Sequence, residues 1–129
     1  VLTLRPGSDP EKKQATLEDW YRAQLKASAP EFISKREPLV GVRVERLFIQ
    51  RMKTKWGSCS RTAPAIRLNT DLARKPKEHL EYVIVHETAH LREPTHNKRF
   101  IALIDTPLPD WRHRRGQINQ LPLRHEDWD

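Results

Sequence analysis

The run His86-Glu87-Thr88-Ala89-His90-Leu91-Arg92-Glu93-Pro94-Thr95-His96 has the residue types and spacing of a metal-dependent hydrolase. Two histidines four apart project from one face of a helix, about 6 Å from each other, so both rings can reach one ion. Glu87, between them, is a residue type that can take a proton from a metal-activated water. His96 follows His90 by six residues, enough for the chain to leave the helix at Arg92-Glu93-Pro94 and fold back, so reach and donor type make it the expected third ligand. Three histidines leave the fourth tetrahedral position of a zinc ion to water, whose pKa falls to about 7 there. The expected chemistry is metal-assisted hydrolysis of an amide or phosphoester, with one zinc ion on His86, His90 and His96 and with Glu87 as general base.

Other ligand sets are weaker. The H-x-x-x-H-x-x-x-x-x-H spacing equals that of metzincin proteases, but Glu93 stands where they have glycine, and no methionine follows the motif to form their Met-turn. Gluzincins take a glutamate from a later helix; here Glu126 is the only glutamate after Glu93, and it lies far along in the tail. Asp105 and Asp110 are conceivable oxygen ligands. His79 shares the helical stripe of His86, but seven residues of helix separate them by roughly 10 Å, too far for one ion. His113 and His125 lack supporting spacing and are expected at the surface.

The helix that carries the motif should begin at Pro76, which suits a first helical turn, and run to about Leu91. On its wheel His86, His90 and Glu87 fall along the margin of an apolar surface formed by Leu80, Val83, Ile84 and Leu91, with Glu81 and Thr88 on the back. Buried imidazoles and a carboxylate need partners, and a divalent ion would supply one. Before it, Met52, Thr54 and Trp56 alternate with Lys53 and Lys55 as a strand with a wet basic face. Gly57-Ser58 begins a turn and Ala65–Asn69 returns, giving an antiparallel hairpin. Val42–Ile49 is β-branched, but its alternation changes phase near Arg46, which predicts a bulge or burial on both sides.

Asp9-Pro10 starts a first helix whose stripe Leu17, Trp20, Tyr21, Gln24, Leu25 faces a core and which should end before Pro30. A short second helix follows from Pro30 and closes at Pro38. Beyond the motif, Asn97–Ile104 is expected as a helix with Phe100, Ile101 and Ile104 inward. Asp110 then caps a last helix, Trp111–Leu121, stopped by Pro122. Trp128 is expected to dock back, and Val1–Ser8 to be a strand end. No repeat, low-complexity segment or linker divides the chain, so residues 1–129 read as a single domain.

With one cysteine, Cys59, no intrachain disulfide can form, and a buried structural role is expected for it. No apolar run approaches a membrane span or signal core, so a cytoplasmic monomer is the default expectation. The formal charge of +7 favours anionic partners, against the plainer reading of a solvated basic surface.

Met52-Lys53-Thr54-Lys55-Trp56-Gly57-Ser58-Cys59, Arg67-Leu68-Asn69, Tyr82-Val83-Ile84-Val85-His86-Glu87 and His96-x-x-x-Phe100 together resemble the YgjP-like metallopeptidase family, minimal zincins related to SprT-like proteases. The likeness runs from about Gln14 to Trp128. It implies an α+β zincin-like fold, a small antiparallel sheet packed on the H-E-x-x-H helix with further helices at both ends. It also implies zinc on His86, His90 and His96, Glu87 as catalytic base, and a peptide substrate. Thr88 departs from the family's usual leucine, and Ile101 from its frequent tryptophan. Members often carry a β-rich segment upstream, of which Val1–Ser8 would be the last remnant, making the chain the C-terminal part of a longer protein. In zincins the strand before the motif helix is an edge that pairs with substrate; here that strand is expected to be Ala65–Asn69, with Asn69 or Lys55 as candidates to stabilise the oxyanion.

Two competing functions stay open at this point. The family has been linked to cleaving UTP, and Lys53, Lys55, Arg61 and Arg67 could meet the phosphates of a nucleoside triphosphate, although no phosphate-cradling glycine loop is present. SprT-like relatives act on DNA-bound proteins, and the basic hairpin with Arg112, Arg114 and Arg115 would suit nucleic-acid phosphates.

Overall fold

The structure, a computed structural model, describes residues 10–120. The first helix, α1, runs unbroken over Pro10–Val40, with Pro30 and Pro38 inside it. This replaces the two shorter helices expected from those prolines. Leu25, Ala29, Ile33, Arg36 and Val40 form one buried stripe at steps of four, four, three and four, and it passes both prolines without a break. A proline inside a helix deprives the carbonyl four residues earlier of its donor. Here those carbonyls belong to the exposed Lys26 and Ser34, where water can serve them. The helix stops at Gly41, which takes φ 80° and donates its N–H to the Glu37 carbonyl at 2.8 Å, a left-handed cap that favours glycine.

Three strands follow: β1 (Arg46–Gln50), β2 (Gly57–Ser60) and β3 (Ala65–Asn69). Their order is β1-β3-β2, with β1 parallel and β2 antiparallel to β3. The expected hairpin exists, but its first strand is Gly57–Ser60, the expected turn, and Met52–Trp56 is a loop. Buried Asn69 pins that loop: its side-chain amide donates to the Met52 and Lys55 carbonyls at 2.9 and 2.8 Å, and its N–H to the Trp56 carbonyl at 2.9 Å. The phase change near Arg46 is not a bulge. Val42 and Val44 precede the strand, in a segment held by the Val44 N–H on the Glu37 carboxylate at 2.6 Å.

A 3-10 turn, Thr70–Arg74, leads into α2 (Lys77–Arg92), then α3 (Lys98–Asp105) and α4 (Trp111–Asn119). The Asn97 side chain caps α3 by accepting the Phe100 N–H at 2.9 Å. Asp110 precedes α4 but gives no side-chain cap; its carboxylate accepts from Arg114 Nε at 3.1 Å instead.

The motif helix α2 is central. It packs on α1, on β2 and β3, and on α3 and α4. His79, Leu80 and every residue from Tyr82 to Leu91 are buried, so the amphipathic margin expected from the wheel becomes burial on all sides. Thr88, placed on the back of the helix, has no exposed surface and returns its hydroxyl to the Ile84 carbonyl at 2.6 Å. Glu81, also on the back, pairs with Arg36 of α1, and with Arg114 of α4 at 2.8 Å. Burial alone would raise the Glu81 carboxyl, but Arg114 and Arg36 outweigh it and hold its pKa below the usual range. Trp20 and Tyr21, expected in the core, are half-buried and pack edge-to-face on each other with centroids 5.2 Å apart. Among the described residues no helix is long and apolar enough to cross a membrane. The expected strand end at Val1–Ser8, the Asp9 cap, and the readings for Leu121, His125, Glu126 and Trp128 lie outside the described residues.

Candidate metal centre and cleft

His86 and His90 lie one turn apart on α2, with ring centroids 4.7 Å apart. The chain leaves the helix after Arg92, as the spacing predicted, and Glu93 takes φ −123°, ψ 107°. That is ordinary extended backbone, so the turn needs no glycine at this position. Pro94 and Thr95 then bring His96 back beside the helix. Ligand nitrogens of His86, His90 and His96 all lie within 4.8 Å of one another, and the Nε2 atoms of His90 and His96 are 2.9 Å apart.

Hydrogen bonds select the tautomers. His90 Nδ1 lies 3.1 Å from the Glu93 carbonyl oxygen, which can only accept, so Nδ1 carries the proton and Nε2 keeps the lone pair that faces His96. His86 Nδ1 lies 3.0 Å from Glu87 Oε2, and a carboxylate there likewise calls for an N–H on Nδ1. Burial, then the neighbouring His86, push the His90 pKa down, which favours the neutral ring that a metal requires. The donor set thus fits a cation: nitrogens of three imidazoles converge, and His90 presents Nε2 to the cluster. Phe100 supports it from α3, its ring centroid 4.3 Å from His90, 4.5 Å from His96 and 5.4 Å from His86. The sequence marks Phe100 as an inward residue and as part of the His96-x-x-x-Phe100 motif; its packing against three imidazoles is set by the fold.

Glu87 and His90 form the floor of an open cleft of about 320 Å³, walled by Lys55, Gly57, Ser58, Cys59, Arg61 and Pro94. Gly57, expected to begin a turn, has a different task. A Cβ at this position would lie 2.7 Å from Val83 Cγ1 and 3.1 Å from Glu87 Cγ, so the missing side chain is what lets β2 sit directly on α2 beside Glu87. The run of small residues Gly57-Ser58-Cys59-Ser60 was the available signal for this close approach. Cys59 is only half-buried and forms part of the cleft wall rather than the core proper.

Several expectations are corrected here. β3 (Ala65–Asn69) has a strand on each side, so it is not an edge; the strand exposed to the cleft is β2. Asn69 spends its side chain on the 52–55 loop and on the Asp71 N–H, which removes it as an oxyanion donor. Of the four cations considered for phosphates, only Lys55 and Arg61 line the cleft. Arg67 lies over Phe48, 4.8 Å from its centroid, and bonds Gln50 at 3.0 Å. Asp105 pairs with Trp111 and Arg112, and Asp110 with Arg114, so neither joins the histidines. His79 is buried apart from the cluster, and His113 is exposed, as expected.

Comparison with known proteins agrees with this geometry. Residues 1–121 match the family described as YgjP-like, metallopeptidase domain. Two similar solved structures are the metallopeptidase zymogen abylysin of Pyrococcus abyssi and the metallopeptidase zymogen jannalysin of Methanocaldococcus jannaschii. The first has TM-score 0.64 and 19% identity, covering 70% of this chain and 91% of abylysin. The second has TM-score 0.62 and 21% identity, covering 70% of this chain and 93% of jannalysin. At these identities the likeness is one of fold. No curated protein matches the sequence.

Proposed function

Because this chain belongs to the YgjP-like metallopeptidase family, we propose that it is a zinc-dependent peptidase in which His86, His90 and His96 hold one zinc ion and Glu87 is the general base. The observation that carries the reading is the pair of Nε2 atoms 2.9 Å apart on His90 and His96, with His90 Nδ1 committed to the Glu93 carbonyl. With Nδ1 protonated, His90 Nε2 offers a lone pair toward His96, and a cation shared by the three converging rings is what a His86, His90, His96 cluster of this size can hold. Soft-to-borderline nitrogen donors in threes suit zinc better than magnesium or calcium, which take oxygen. When bound, zinc supplies a Lewis acid that polarises the scissile carbonyl.

The chain's own residues then have distinct tasks. Glu87 reaches the cleft floor next to His90, where it can take a proton from the attacking water and pass it to the leaving amine. Phe100 and the Glu93 carbonyl fix the ring planes of the histidines. β2 flanks the cleft beside Glu87, where the backbone of a bound peptide would lie. One apolar core drawn from α1, the sheet and the helices α2 to α4 supports reading the chain as one domain.

The nucleotide reading retains only Lys55 and Arg61 in the cleft and loses Lys53 and Arg67. The test is Glu87→Gln. It should bind zinc at one equivalent, as the wild type does, while peptide hydrolysis falls by about 10²–10⁴-fold. Undiminished turnover in that variant would remove Glu87 from the chemistry.

A further inference from the structure

The histidine cluster borders two cavities. His90 and Glu87 line the open cleft, whereas His86 and His96 line a second, smaller cavity of about 80 Å³, and among the described residues the two share no lining residue. Tyr82 from α2, Phe100 from α3 and Trp111 from α4, all buried, wall the second cavity. These walls are firm. Tyr82 has no exposed surface, and Phe100 packs on all three imidazoles. Trp111 donates its indole N–H to Asp105, and the Arg112 guanidinium carbon lies 4.4 Å from its ring centroid. A cavity built this way exists before anything enters it, so filling it costs little ordering of the protein. Half-buried Ile101 and exposed Arg115 complete the lining on the side toward solvent. Size then limits the occupant. An apolar cavity of about 150 Å³ takes a benzene ring, and roughly half that volume holds a short branched aliphatic chain but no aromatic ring.

We propose that this cavity is the specificity pocket of the peptidase, and that it takes a branched aliphatic side chain, Val, Leu or Ile, from one of the two residues joined by the scissile bond. The proposal rests on the peptidase reading and names its substrate class. A peptide bond brought to the cluster lies against His86 and His96, which are themselves part of the pocket wall. Consecutive Cα atoms are about 3.8 Å apart, so the residues joined by that bond are the ones that bring a side chain to the mouth. A Lys or Arg side chain would meet the like charge of Arg115 there and find no anionic partner on the aromatic walls. Ile101 sets the width: it is the one aliphatic residue of the lining, and its partial exposure lets it be replaced without opening the core.

The test uses the full zinc-loaded chain and two series of fluorescent peptides, each varying one of two adjacent central residues through Ala, Leu, Phe, Glu and Lys. Mass spectrometry checks that the bond between them is the one cut. Cleavage is measured as kcat/KM in the wild type, and binding by anisotropy in Glu87→Gln, so that selection is read with and without turnover. In one series the Leu peptide should exceed the Ala and Phe peptides by about tenfold in both measurements, and the Lys peptide by more. Ile101→Trp should fill the pocket and bring the Leu peptide down to the level of the Ala peptide. Ile101→Ala should widen it and raise the Phe peptide toward the Leu peptide. If both variants lower all peptides by one common factor, the preference does not belong to this pocket and the proposal fails. Equal kcat/KM throughout both series would overturn the proposal and leave the peptidase reading intact. Leu-selective binding in Glu87→Gln that Ile101→Trp abolishes, with no peptide cleaved by wild type, would uphold the pocket's selection and overturn the peptidase reading. If the Glu peptide leads either series, Arg115 reads a carboxylate and the aliphatic assignment is wrong.

Discussion

Replacing Gly57 with alanine asks how closely β2 must sit on the motif helix. The added Cβ would fall 2.7 Å from Val83 Cγ1, 3.1 Å from the Arg67 carbonyl oxygen and 3.1 Å from Glu87 Cγ. Carbon atoms rest at about 3.5–4.0 Å, so the Val83 contact must open by roughly 1 Å. Val83 is fully buried, and a β-branched side chain in a helix keeps essentially one χ1 rotamer, so it cannot swing aside. The movable body is the strand, which carries the cleft wall away from Glu87. Overpacking of this kind costs about 1–3 kcal/mol, or roughly 5–15 °C in Tm for a domain of this size. A misplacement of about 1 Å between bound peptide and the proposed base, Glu87, costs on the order of 10²-fold in rate. Zinc content, measured by atomic absorption, should stay at one equivalent because His86, His90 and His96 are not displaced. The expected pattern is therefore intact metal, a lowered Tm and a kcat loss larger than the KM change. A Gly57→Ala protein as active and as stable as wild type would refute the argument that close approach at Gly57 sets the geometry of Glu87.

Removing one imidazole should separate metal binding from folding. At about 100 times its dissociation constant, zinc should stabilise the wild type by roughly 2.7 kcal/mol in a thermal-shift series, and His96→Ala, exposed and outside the helix, should fold yet lose most of that shift. Asn69→Ala leaves the Met52 and Lys55 carbonyls without their donor, with an expected cost of about 2–3 kcal/mol in urea unfolding and faster proteolysis within residues 51–56. The Glu81 carboxyl has a folded pKa below its unfolded value of about 4.5, so its contribution is present above that value and is lost as pH falls through the folded pKa. Urea midpoints between pH 6 and pH 3 should therefore fall more steeply in wild type than in Glu81→Gln; parallel curves would contradict this linkage.

The ligand spacing was legible because it is local. His86, Glu87 and His90 are placed by one helix, and the six-residue reach to His96 by a short turn, so residue type and distance along the chain suffice. The features that went unread are set by residues distant in sequence. Glu81 and Thr88 look like the wet face of a helix until Arg36, Arg114 and a local hydroxyl bond account for them, and the two arginines come from α1 and α4. Pro30 and Pro38 signal helix ends, but the apolar stripe through Ala29, Ile33 and Val40 continues past them and wins. Which strand is the edge depended on β1 returning parallel to β3 on its far side, a pairing for which no residue in either strand gives a local sign.

The buried charges behind α2 bear on the chemistry in front of it. On the helical wheel Glu81 lies about opposite the mean direction of His90 and Glu87. A helix buried on every side is held along its axis by shape, but its rotation about that axis is set by directional contacts. Arg36 from α1, also bonded to the Pro107 carbonyl at 3.4 Å, and Arg114 from α4 grip Glu81 from two elements. A rotation of α2 that moved Glu87 off the cleft floor would have to break both pairs and strand a carboxylate in a nearly dry site, a change that costs about 3–5 kcal/mol when one buried partner is lost. On the front, Val83 and Glu87 pack directly on β2 at Gly57, where there is no side chain to yield. The ion pairs and the glycine thus oppose the same motion from opposite faces. That explains why a chain with so small a sheet can keep two histidines and a glutamate aimed at one point.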